Sequence, residues 1–430
     1  MTSPPVFAVV GTTGVGKSLF AVELARAIDG EIINADSMQV YKGLDIATNK
    51  APVAERGGIQ HHLMDFLDPC REYSVTEFKR DAIETINSIH ARNRIPILVG
   101  GTNYYIQSLL WKQNLLAAPT PSEGDTRHTD LAGHPLAARI GDALAAKMAN
   151  RLHERNDRKI RRSLEVFYTT GKPHSEWLND QQRYPTCIFW LYADSEQLNP
   201  RLDARVGDMI KLGLFAELSE MRDKVSAGEF DAYLTSLSAS PPIDPPALEA
   251  LRATSVEEMM RATRRYARRQ VTWIRNKLAP MSLAEMGGEE GKDMGFFLLD
   301  ASSLEEWKAR VSDLGISLAK TFLAQAPLPS PQSLSSHAAA LLPAPGTPAR
   351  LPPQTKRTCP VCVDRITGAG KVLTGDKEWE VHLATRIHLR NSRSAWRRGK
   401  PVAGGEARGA DERAAGPDGG VDGGARDGRG

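Results

Sequence analysis

Residues 11–18 read Gly11-Thr12-Thr13-Gly14-Val15-Gly16-Lys17-Ser18, directly after the apolar run 6–10. The spacing is G-x-x-x-x-G-K-[ST], a loop that cradles a di- or triphosphate. Glycines in it let backbone N–H groups converge on phosphate oxygens without Cβ clashes. Lys17 supplies positive charge to the bridging phosphates, and the Ser18 hydroxyl can hold Mg²⁺. The amphipathic run that follows predicts a helix whose positive dipole end points at the anion. A second candidate is Asp36, in the stretch 34–41 at the end of an apolar run. A carboxylate there can bind Mg²⁺, act as a base, or simply cap a turn. The third is Gly100-Gly101-Thr102, where paired glycines allow either close backbone approach to a ligand or a tight turn.

A separate constellation lies near the C-terminus. Cys359 and Cys362 are two residues apart, and His382 and His388 follow at longer spacing. Two thiolates and two imidazoles make a closed tetrahedral Zn²⁺ set, hence structural rather than catalytic. Arg386, Arg390 and Arg393 flank the set and suit nucleic acid. Cys70 and Cys187 lack such partners and read as ordinary thiols of a reducing compartment.

The elements that must position these groups alternate. Strands are predicted at 6–10, 31–35, 95–99 and 188–192, with helical patterns between them such as 75–92. This alternation implies an α/β fold with a parallel sheet and helices on both faces. Ligands of such sheets sit at the carboxyl ends of the strands, which puts Asp36 beside the phosphate loop. The expected organisation is a first part of the core at 1–110, a helical insertion at 111–185 and a second core part at 186–323. Residues 324–356 follow as a linker, because eight prolines fall in 33 positions. A C2H2 finger is expected at 357–400 and a disordered, glycine-rich tail at 401–430.

The net charge of +3 is too small to argue for a polyanion partner, so the distribution of charge must decide. Residues 261–277 carry seven Lys or Arg and no acid, with Arg261, Arg264, Arg265, Arg268 and Arg269 on one helical face. Without interspersed acids that face reads as a surface that tracks phosphates. Residues 155–162 form a second basic cluster. No run approaches the roughly 18 apolar residues of a membrane span. The first strand begins by about residue 5, leaving no room for a leader, so a cytoplasmic protein is expected, with nuclear and mitochondrial pools as alternatives.

The stretches GTTGVGKS (11–18), NADSMQVYKGLDIATNK (34–50), GIQHHLMD (58–65) and ILVGGTNYY (97–105) resemble tRNA dimethylallyltransferases (tRNA isopentenyltransferases), most of all the fungal and animal forms. The resemblance continues through 156–166, 201–206 and 268–275, and the finger is similar to the matrin type. It implies a P-loop core that binds dimethylallyl diphosphate, with Mg²⁺, on the phosphate loop. The tRNA brings a flipped-out adenosine, the one 3′ of the anticodon, whose N6 attacks C1 of the prenyl group as diphosphate leaves. It further implies Asp36 as proton acceptor, with Thr13, Lys17 and Arg205 stabilising the leaving group. From spacing alone Arg205 would be a solvated helix face. Asp36, Ser37, Met38, Gln39 and Thr102 match the base pocket. Arg158, Lys159, Ile160, Arg161 and Arg162 match a tRNA-contacting segment, and Arg268, Arg269 and Arg275 match the basic helix.

The chain departs from that pattern in three places. The Gly-x-x-Gln-x-Ile-Gly segment expected before the basic helix is replaced by 226–234, the insertion is short, and Glu154-Arg155-Asn156-Asp157 stands where His-Pro-Asn-Asp is expected. Three alternatives therefore stand beside tRNA prenylation: a small-molecule P-loop kinase, an adenylate dimethylallyltransferase, and an RNA-binding homologue with impaired catalysis. The sequence leaves the oligomeric state open.

Overall fold

The computed structural model describes residues 4–111, 182–222, 224, 228–237, 243–286, 293–343, 356–363, 370–374 and 376–397. They fall into two compact units, one ending with the core helices before residue 352 and one holding the C-terminal Cys/His set. Among the described residues no helix is long and apolar enough to cross a membrane.

The first unit is built on a six-stranded parallel sheet: β1 (Val6–Gly11), β2 (Gly30–Asn34), β3 (His61–His62), β4 (Ile95–Val99), β5 (Thr186–Tyr192) and β6 (Met294–Asp300). The strand order is β3-β2-β4-β1-β5-β6, with β1 paired to β4 through Phe7–Ile97 and to β5 through Val10–Trp190. β1 is a continuous apolar run because both sheet faces are covered. Val6, Ala8 and Val10 face one core and Phe7 and Val9 the other, as the two-residue period of a strand requires.

On these faces lie α1 (Lys17–Ile28), α2 (Val75–Ala91) and α3 (Asn103–Leu110), followed after the insertion by α4 (Ser195–Lys211). Ser74 and Glu77 start α2 with a reciprocal capping box. Two short helices, α5 (Leu214–Glu220) and α6 (Asp231–Leu237), pack through Leu214, Leu218, Phe230 and Leu234 into a satellite core. The divergent segment 226–234 thus still delivers two buried anchors, Phe230 and Leu234.

The long α7 (Pro245–Trp273) runs into a π turn, Ile274–Leu278, and then α8 (Ala279–Met286). Pro280 has no N–H and its ring crowds the carbonyl one turn earlier, which accounts for the widened turn. The wide turn keeps Ile274 and Leu278 buried while Arg275 and Lys277 face solvent. After β6 the chain adds α9 (Leu314–Leu323).

The four strands expected from sequence are present within a residue or two, and two were missed. β3 spans only two histidines and offers no apolar pattern. β6 is a plain apolar run, MGFFLLD, and was legible. The linker expected from 324 onward needs correction. Residues Pro331–Leu334 form a 3₁₀ turn and Ser336–Leu341 a helix, α10. Ala338 and Leu342 are buried in the sheet's core, so apolar contacts outweigh the proline content. His337 pins this strap, its Nε2 at 2.8 Å from Asp194 Oδ2 and its Nδ1 at 3.2 Å from Asp300 Oδ2.

The second unit contains a hairpin of β7 (Lys356–Val363) and β8 (Gly370–Thr374) followed by α11 (Asp376–Leu383) and α12 (Arg386–Arg397). Residues 112–181 of the expected helical insertion and the tail from 401 lie outside the described residues.

Candidate active site

The phosphate loop bridges β1 and α1. Gly16 caps α1 with φ 94°, a left-handed conformation, and a Cβ there would sit 2.5 Å from the Trp307 ring. Lys17 donates to the Thr12 carbonyl at 2.7 Å. Burial pulls its pKa down to about 8; Asp36 opposes the shift and Arg205 adds to it. Arg205, one turn from Arg201 on α4, donates to Thr13 Oγ1 at 2.6 Å and to Asn49 Oδ1 at 3.0 Å. Burial lowers the Arg205 pKa as well. The solvated helix face that spacing alone suggested is therefore not what forms. Thr12 Oγ1 is buried and has no hydrogen-bond partner among the described residues.

Asp36 leaves the carboxyl end of β2 into this loop. The Asn34 side chain shapes the turn, accepting from Asp36 N–H and donating to the Asp36 carbonyl, both at 3.1 Å. Asp36 Oδ1 accepts the Met38 N–H at 2.9 Å, so one oxygen does cap a turn. The other lies 3.0 Å from where a Cβ on Gly101 would stand. A side chain at 101 would crowd first the Gln270 amide, at 2.7 Å, and then this carboxylate, so the glycine lets both side chains come close to the backbone. Ser37 N–H donates to Thr102 Oγ1 at 3.0 Å, joining the ends of β2 and β4. Met38 is half exposed at 51%, while Gln39 spends its Nε2 on the carbonyls of Thr48 and Asn49. Gln39 is thus a loop clamp as well as a neighbour of the pocket.

Two groups from α7 complete the centre. Gln270, only 4% exposed, accepts the Thr13 N–H at 2.9 Å and donates to the Gly101 carbonyl at 3.0 Å. Tyr266 OH lies 3.4 Å from the same carbonyl, and its pKa is pushed up to about 12, chiefly by burial and then by Asp36. Sequence reading missed both; the signal was a polar Gln270 on the apolar side of an amphipathic helix, beside Ala267 and Ile274.

The exposed face of α7 and of the π turn after it forms a shallow, open groove lined by Arg265, Arg268, Arg269, Thr272, Trp273, Asn276 and Lys277. Tyr104, at the start of α3, meets Trp273 edge to face at 6.1 Å. The basic stripe is less bare than its sequence window implied. Arg264 pairs with Asp203 of α4, and Arg261 with Glu257 one turn back. Arg275 is exposed but outside the groove lining. Arg158, Lys159, Ile160, Arg161 and Arg162 lie outside the described residues.

A phosphate loop, a carboxylate and an arginine-lined helix at one sheet end are shared by several enzyme classes. Residues 39–277 match the family model described as IPP transferase. The chain belongs to the IPP transferase family. It is 33% identical over 410 residues to a tRNA dimethylallyltransferase of Saccharomyces cerevisiae, covering 90% of this chain and 92% of that protein. It is 35% identical over 431 residues to one of Mus musculus, covering 90% and 85%. The fold matches a solved structure described as a eukaryotic dimethylallyltransferase acting on tRNA, with TM-score 0.74 and 31% identity, over 92% of this chain and 98% of that one.

This IPP transferase carries a second candidate site in its C-terminal unit. The ligand atoms of Cys359, Cys362, His382 and His388 lie within 4.8 Å of one another, and all four residues are buried. His388 Nδ1 faces the centre, 3.1 Å from His382 Nε2 and 3.4 Å from Cys359 Sγ. Its Nε2 meets Ser392 Oγ at 3.1 Å, and Asn391 Nδ2 donates to Cys362 Sγ, so outer groups orient two ligands. Burial lowers the pKa of both histidines, favouring the neutral imidazole that a metal requires. The set can hold a metal ion. Arg386, Arg390 and Arg393 line one side of α12.

Proposed function

We propose that this IPP transferase moves a dimethylallyl group from dimethylallyl diphosphate to N6 of the adenosine 3′ of the anticodon in tRNA, releasing diphosphate. One observation carries the reading: Asp36 and Gln270 of the arginine-lined α7 meet at Gly101, and the same Gln270 amide holds Thr13 of the phosphate loop. In this reaction the N6–C1 bond forms as the C1–O bond breaks. The N6 proton goes to Asp36, and the electron pair of the broken bond leaves with diphosphate. N6 of adenine is a weak nucleophile, so a carboxylate aimed at its proton lowers the barrier. Charge grows on the leaving diphosphate, where Lys17, the Arg205–Thr13 pair and loop N–H groups are already oriented.

The Ser18 hydroxyl, at the exposed start of α1, fits a hydrated cation on the phosphates. Mg²⁺ held there would add positive charge against the leaving group. Zn²⁺ suits the Cys/His set, which has no ligand position left for chemistry. The groove with Trp273 and Tyr104 offers aromatic faces to bases and guanidinium groups to phosphates.

The test is to incubate the protein with labelled dimethylallyl diphosphate and, separately, unmodified tRNA, AMP or ATP. Label is expected on tRNA alone. Label on AMP or ATP, or ATP turnover without prenyl transfer, overturns the reading.

A further inference from the structure

We propose that Gln270 is a positioning residue that couples the two substrate sites, so that occupancy of the nucleic-acid groove and of the diphosphate loop favour one another. The inference rests on the function proposed above and adds a property to it.

The amide has a single possible orientation. A backbone N–H can only donate and a carbonyl can only accept, so Oε1 must face Thr13 N and Nε2 must face Gly101 O. At 4% exposure, water does not replace either partner. Gly101 is itself built to admit the amide, since a Cβ there would stand 2.7 Å from Nε2. The two contacts reach across 257 and 169 residues of sequence, to the phosphate loop and to the end of β4.

The same helical turn faces the other way into the groove. Arg268, Arg269 and Trp273 lie within one turn of Gln270 and line it. A helix transmits displacement along its axis as a near-rigid rod. Whatever seats the groove side of α7 therefore seats Gln270, and through it the Thr13 peptide. Thr13 in turn presents its hydroxyl to Arg205, the cation set against the leaving group. Groove, Gln270, Thr13 and Arg205 form an unbroken series of contacts. Fixing one end lowers the ordering cost of binding at the other. A second consequence concerns the loop: its Thr13 N–H is already engaged, so an anion must use the remaining N–H groups.

Reciprocal binding measurements test this. The affinity of the full chain for inorganic diphosphate with Mg²⁺ is measured by calorimetry, with and without a saturating unmodified anticodon stem-loop RNA. In the wild type, RNA is expected to tighten diphosphate binding by at least about fivefold, and diphosphate to tighten RNA binding by the same factor. In Gln270→Met, which keeps the volume and loses both hydrogen bonds, the factor falls to about one. Gln270→Glu keeps the acceptor for Thr13 and loses the donor to Gly101, so less than half of the wild-type factor remains. Should Gln270→Met not fold, the Glu variant carries the test. Arg268→Ala weakens RNA binding yet preserves the factor once RNA saturates. A purely structural amide would weaken single affinities and leave the factor intact; that result, or a wild-type factor of one, overturns the coupling. Failure of the wild type to bind RNA or diphosphate would instead overturn the function on which the inference rests.

Discussion

Arg205→Ala offers the sharpest check on how the leaving group is stabilised. The guanidinium is partly buried and holds two fixed partners, Thr13 Oγ1 at 2.6 Å and Asn49 Oδ1 at 3.0 Å. It is therefore oriented before substrate arrives, which is the condition for a large electrostatic contribution. Loss of one such donor costs about 2–4 kcal/mol in the transition state, or about 30- to 900-fold in rate. Thr13→Ala removes the partner of the same bond, and a hydrogen bond to a charged group contributes about 1.5–3 kcal/mol. The two losses overlap because they share that bond. Arg205→Ala/Thr13→Ala should thus be only slightly slower than Arg205→Ala, with the shortfall from additivity near that figure. Arg205→Lys restores charge but cannot span both partners, so it recovers part of the rate. The assay is single-turnover transfer of labelled dimethylallyl to an anticodon stem-loop at saturating substrates. Full additivity, or an Arg205→Ala rate near that of the wild type, would refute the reasoning.

Asp36→Asn keeps the turn, since its amide oxygen can still accept from Met38, and removes the proton acceptor. Turnover should fall about 10²- to 10⁴-fold with RNA affinity unchanged; a rate near wild type removes Asp36 from the chemistry. Lys17 is charged below its pKa of about 8 and neutral above it, so diphosphate affinity should weaken as pH rises through that value. Lys17→Arg, which stays charged, should lose this limb, and superimposable pH profiles for the two proteins would contradict it. A metal chelator, or Cys362→Ser, should unfold the C-terminal unit. It should weaken tRNA binding and flatten its salt dependence while leaving the rate at saturating RNA unchanged. Unaltered binding at two salt concentrations would separate the finger from RNA.

How much of this was legible in sequence depended on range. The phosphate loop, the Asp36 turn and the Cys/His set are local patterns, and each sits where its spacing indicated. The β6 strand and the strap at 331–342 were legible in principle, one as an apolar run, the other as Ala338 and Leu342 hidden behind prolines. What sequence could not show is pairing at a distance. Arg264 looked unopposed because Asp203 lies on another helix, and Arg205 looked solvated because Thr13 lies 192 residues away. Gln270 read as a polar blemish on an apolar stripe until its two partners stood beside it. Gln39, expected at the base, also holds its own loop through Nε2, a role its sequence position did not show.

The sheet order has a consequence for synthesis. β1 emerges from the ribosome first and sits at the centre, yet Phe7 must wait for Ile97 on one side and Cys187 on the other. Thr13 waits longer still, for an amide 257 residues later. Such long loop closures are slow, and the apolar β1 and β4 stay exposed meanwhile. A nascent chain halted before α7 therefore displays every catalytic side chain named here and can assemble no site. It also lacks β6, so the edge of β5 is left unpaired and apolar for a holding chaperone to cover. Premature termination upstream of that turn is expected to end in aggregation or proteolysis rather than in a weakened catalyst.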